Sequence, residues 1–126
     1  MVVLDSGAVT GLAKRNRWAA ALIAALRSEG LWPPEVPSAV LVECLIGNPG
    51  IDAPTNRLLK LTEINEDLPQ SVARRAARMR TLAGQGSAID AIVIATAEPG
   101  GTVLTTDVRD LGALATHADR VFVEKI

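Results

Sequence analysis

Residues 2–7 read Val-Val-Leu-Asp-Ser-Gly, an apolar triplet that stops on a carboxylate and a polar turn. An uninterrupted apolar run of this kind marks a strand buried on both faces, as in a parallel sheet. Asp5 then lies at the carboxyl end of that strand, where open parallel sheets bind their ligands. Outward from it, residues 102–105 give a second buried strand with Asp107 just beyond it, and 121–123 give a last one. Residues 61–64 form a further strand, and Pro33 and Pro34 restrict 31–36 to a short or edge strand.

Helical spacing covers residues 18–27, stopped by Ser28-Glu29-Gly30, and 69–82, with Pro at its start and Gly84 past its end. Ser38 is placed to cap a helix running to about residue 46, ended by Gly47-Asn48-Pro49-Gly50. Shorter helices are expected over 54–61 and 107–115, and an almost wholly apolar one over 87–97. Strands alternating with helices predict an α/β domain over residues 1–126, with a central, mostly parallel sheet covered on both faces.

The composition is that of a packed globular domain, with 48% apolar and 21% charged residues and a mean hydropathy of +0.25. Its longest apolar run, residues 18–26, is nine residues and too short to cross a bilayer. Residues 1–4 reach Asp5 without a basic leader or extended apolar region, so a cytoplasmic protein without membrane contact is expected. One cysteine, Cys44, excludes an intrachain disulfide and reads as a small buried hydrophobe.

Four carboxylates stand where an apolar run ends or where helical spacing shows: Asp5, Glu43, Asp90 and Asp107. Each has an ordinary explanation. Asp5 and Asp107 can cap the turns after their strands, and Ser87-Ala-Ile-Asp90 has the form of a capping box. Glu43, the sole charge of its helix, can reach solvent. Together they suit a shared pocket, because clustered carboxylates repel unless protonated or neutralised by a cation. Hard oxygen donors without a Cys/His cluster favour Mg²⁺, with Mn²⁺ as the substitute, over zinc.

The net charge of −1 hides an uneven distribution. Setting the four acids aside turns it to +3, and residues 1–83 carry +2 against −3 for 84–126, so a polyanionic partner is compatible.

Val3-Leu4-Asp5-Ser6, the lone helical Glu43, Ile89-Asp90-Ala91 with Ala95 and Ala97, and Leu104-Thr105-Thr106-Asp107 followed by Asp110-Leu111 resemble the ordered motifs of the PIN domain. Size and start are most similar to its VapC-type ribonuclease toxins. The resemblance implies a three-layer α/β/α domain, an acidic Mg²⁺ pocket and endonucleolytic cleavage of RNA. It makes Asp5 and Asp90 the principal metal ligands, with Glu43 and Asp107 completing the pocket directly or through water. Ser6 and Thr106 match hydroxyl positions that orient the acids or touch phosphate, whereas Asp110 reads as a surface helix residue. It further implies a homodimer, inhibited by a VapB-type antitoxin lying in a groove near the pocket.

Two basic groups are candidates for RNA phosphates: Lys14-Arg15-Asn16-Arg17, with Arg15 foremost, and Arg74, Arg75, Arg78 and Arg80 on one helix. For the second group, solvated helix charges are the favoured reading. The only histidine, His117, has no partner for nucleophilic or acid–base work. A receiver-like phosphoacceptor domain shares the length and acidic site but needs a mid-chain acceptor, and Asp52 reads as lying in a Gly/Pro-rich loop. A non-catalytic binding module on the same fold is the other alternative.

Overall fold

The computed structural model describes all 126 residues. The chain runs β1 (Val2–Leu4), α1 (Ser6–Ala13), α2 (Arg17–Ser28), β2 (Glu35–Pro37), a 3₁₀ turn (Ser38–Val40), α3 (Leu41–Cys44), α4 (Pro49–Leu59), β3 (Glu63–Asn65), α5 (Gln70–Ala83), α6 (Ala88–Ala97), β4 (Thr102–Thr105), α7 (Val108–Ala115) and β5 (Phe122–Lys125). The five strands form one sheet in the order β3-β2-β1-β4-β5, and every pairing is parallel.

That order reverses between β1 and β4. Right-handed crossovers therefore put the helices that lead from β1 towards β3 on one face and those that lead through β4 to β5 on the other. The contacts agree: α1 lies on β1 and β4 with α2, α3 and α4 around it, and α6 lies on β1, β2 and β4 beside α5 and α7. Between the layers sit Leu4, Leu12, Met79, Ile94 and Leu114, all fully buried. Burying each such side chain contributes about 1.5–3 kcal/mol, which makes this layer the main stabilising element.

Several expectations need correction. β2 is short, as Pro33 and Pro34 require, yet it lies inside the sheet between β3 and β1. It pairs with β1 at one register position, Val3 with Glu35, and with β3 at three, where Pro37 stands opposite Asn65 at the end of the ladder. The helix expected to run to residue 46 is a 3₁₀ turn followed by one α-turn that ends at Leu45 in extended backbone. Ser38 makes no capping hydrogen bond there. Asn48 and Pro49 begin α4 instead of closing the helix before them: Asn48 accepts the Gly50 and Ile51 amides, with proline at the first helical position. Asp52 is therefore a buried helix residue, not part of a loop. Cys44 is half-buried, with its thiol pKa pushed up mainly by burial.

Candidate functional site

The point where strand order reverses is where an open parallel sheet leaves a crevice beyond its carboxyl ends. Here that point is flanked by the chain leaving β1 and the chain leaving β4, which carry Asp5 and Asp107. The register aligns Leu4 with Leu104, so the residues that follow, Asp5 and Thr105, face each other.

Asp5 is 8% exposed and caps α1, its Oδ1 accepting the Ala8 amide at 2.8 Å. Its Oδ2 accepts the Thr105 hydroxyl at 2.5 Å. Burial raises the Asp5 pKa above the ordinary carboxylate value; the two hydrogen bonds oppose the shift, and the nearby charges of Asp90 and Glu43 add to it. Thr105, itself fully buried, accepts the Asp107 amide at 2.9 Å, so one hydroxyl ties the two strand-end acids together.

Asp107 leads from β4 into a helix, and the other two acids arrive from helices. Asp107 caps α7 through the Arg109 amide at 3.0 Å. Asp90 and Ser87 form the expected capping box, with Ser87 N to Asp90 Oδ2 at 3.1 Å and Asp90 N to Ser87 Oγ at 3.0 Å. Glu43 projects from α3, exposed. The ordinary reading of the three aspartates as caps is thus correct, and it coexists with a shared location. All four acids line one cavity of about 160 Å³, together with Asp110, Ser6, Gly7 and Thr106, and Leu111 is its only apolar wall. No cation enters this wall.

Its donors are oxygens alone, which fits a hard divalent ion and excludes a zinc site of Cys/His type. No three of these side chains converge closely enough to grip an ion as they stand. Ser6 and Thr106 line the cavity, but the hydroxyl hydrogen-bonded to an acid is that of Thr105. A parallel pairing of the strands ending at Asp5 and Asp107 was the signal that would have found it. Asp110, expected at the surface, is half-buried in the cavity wall.

The basic candidates lie elsewhere. Arg15 follows α1 at the end opposite Asp5, about 12 Å along an eight-residue helix. It borders a larger cavity of about 530 Å³, floored by apolar residues such as Leu12, Ile23 and Leu58 and rimmed also by Arg57 and Lys60. Arg75 is engaged by Glu98 at 3.0 Å and by the His117 carbonyl at 2.8 Å, and Arg80 by the Gly86 carbonyl. With Arg74 donating to Gln70 at 2.9 Å, the favoured reading of the α5 arginines as helix charges gains specific partners for three of the four.

No family model matches the chain, and no curated protein matches it. Among solved structures it is similar to PAE2754 from Pyrobaculum aerophilum, at 16% identity and a TM-score of 0.64, covering 97% of this chain and 89% of that one. It is also similar to a chain of FitAB bound to an IR36 DNA fragment, at 20% identity and a TM-score of 0.65, covering 99% and 94%. The fold is PIN-like. At these identities the likeness is one of architecture. The strand order β3-β2-β1-β4-β5 also differs from the 2-1-3-4-5 order of receiver domains, which removes that alternative on topology. No helix is long and apolar enough to cross a membrane.

Proposed function

We propose that this chain is a metal-dependent endoribonuclease of the PIN type, acting as the toxin of a VapBC-like toxin–antitoxin pair. One observation carries the reading: four acids from four separate elements line a single all-oxygen cavity at the switch point of the sheet. In this reading Asp5 and Asp90 hold Mg²⁺ or Mn²⁺, and Glu43 and Asp107 complete the shell directly or through water. A divalent ion bound there supplies an activated water and charge stabilisation at the scissile phosphate.

The chain's own residues do the rest. Thr105 holds Asp5 in one orientation and keeps Asp107 beside it. Ser6 and Thr106, at the cavity wall, are placed to donate to phosphate oxygens. The expected products carry 5′-phosphate and 3′-hydroxyl ends. A basic side chain from an antitoxin would enter the same acidic cavity in place of the cation and inhibit. Val42 and Ile46, which flank Glu43 in sequence, and Ile51 in the first turn of α4 are exposed and offer apolar surface for such an antitoxin segment. The resemblance that suggests the antitoxin also carries the proposal of a homodimer.

Incubation with a mixed RNA pool and Mg²⁺ tests this reading, with EDTA and a DNA duplex as controls. It predicts RNA cleavage that EDTA suppresses. Cleavage that survives chelation, or that acts on the duplex in preference to RNA, overturns it.

A further inference from the structure

We propose that Asp52 is a positioning residue that fixes Glu43 in the acidic cavity; this rests on the metal-site reading above. Asp52 and Asp5 are the two buried carboxylates of the chain, and Asp52 is 6% exposed. It lies outside the acidic cavity. Its oxygens accept the two consecutive amides of Ile46 at 3.1 Å and Gly47 at 2.9 Å. A buried ionised carboxylate needs such donors, and two successive amides aimed at one anion form a compact nest for it.

Those amides belong to the segment that leaves α3. The four-residue α3 has no fully buried side chain and no side-chain cap, and one turn of helix does not hold itself. Glu43 sits on it, without a hydrogen bond of its own among the side-chain bonds of the structure. Asp52 is not needed to start α4, since Asn48 already caps that helix. What Asp52 adds is a tie from α4 to the end of α3, and α4 in turn rests on α1, the helix that Asp5 caps. Glu43 and Asp5 are thereby referred to one frame.

The test is Mn²⁺ affinity by calorimetry for wild type, Asp52→Asn, Glu43→Gln and the double variant, with amide hydrogen exchange on each. Asn keeps one acceptor oxygen and turns an NH₂ group towards the second amide. The expected result is an affinity loss of about 10-fold in Asp52→Asn, the lower end for residues that orient metal ligands, with faster exchange confined to residues 45–47. In the Glu43→Gln background Asp52→Asn should then cost nothing further. Equal losses in both backgrounds, or unchanged affinity with the two amides released, overturn the proposal and leave the metal site standing. A wild-type protein that binds no Mn²⁺ overturns both. Should Asp52→Asn not fold, Gly47→Ala strains the same tie at φ +83 with open space for its methyl group, and the same dependence on Glu43 is expected.

Discussion

The Thr105 hydroxyl donates to Asp5 across the junction of β4 and β1 and accepts the amide of Asp107. A buried hydroxyl with both roles filled is expensive to remove, because each partner is left short of a bond. Thr105→Val keeps the shape and deletes the bonds. It should lower stability by about 1–3 kcal/mol in urea unfolding and loosen the Asp5 carboxylate; a variant as stable as wild type would show that this contact does not organise the site.

Asp5 also sets a pH dependence. Its folded pKa is raised, chiefly by burial, so the folded chain holds that proton more tightly than the unfolded one. The stabilising contribution is complete below the ordinary carboxylate pKa of about 3.9 and is lost as pH rises through the raised value. Without divalent ions, Asp5→Asn should therefore melt above wild type at pH 7, the gap closing as pH falls below about 4. A lower melting temperature at pH 7 would contradict the burial argument.

Asp5→Asn and Asp90→Asn should each nearly abolish RNA cleavage while circular dichroism stays that of wild type. Full activity in both would refute the ligand assignment.

Ser87→Ala removes half of the capping box that holds Asp90. The expected cost is about 1 kcal/mol of stability, together with weaker Mn²⁺ binding, read from one thermal scan and one titration. Loss of stability with unaltered Mn²⁺ binding would show that the Ser87 hydroxyl does not position Asp90 for the ion.

Arg15 stands at the far end of α1, and Arg75 is held by Glu98 with a side chain 40% exposed. Neither position suits a scissile phosphate. Arg15→Ala and Arg75→Ala should leave the salt dependence of cleavage unchanged, because no phosphate contact is lost. Arg75→Ala should cost about 1 kcal/mol of stability, as expected for a partly exposed ion pair. A flattened salt dependence in either variant would return that arginine to the substrate path.

The positions of Asp5 and Asp107 were legible because apolar runs mark buried strands and the residue after each run marks its tip. Helices α5 and α6 were legible through end signals: Pro69 and Gly84 for one, Ser87 with Asp90 for the other. Residues 38–60 were harder to read. Gly47-Asn48-Pro49-Gly50 satisfies the rules for ending one helix and for starting the next, and only tertiary contacts select the second. The helix expected to begin at Pro54 begins at Pro49 instead, and α4 accommodates Pro54 in its interior, forgoing one amide donor. Thr105 was given no role and Asp110 was read as a surface residue because their places depend on which strands are neighbours and on which helix face meets the cavity. Asp52 was read as a loop residue, and its two amide partners follow from the fold alone.

The most direct test of the account is to titrate Mn²⁺ into the isotopically labelled protein and map paramagnetic broadening of the amide signals. Broadening centred on Asp5, Ser6, Glu43, Asp90, Thr106 and Asp107, and absent in Asp90→Asn, is the predicted result. Broadening spread evenly over the surface, or centred on any other group of residues, would contradict it.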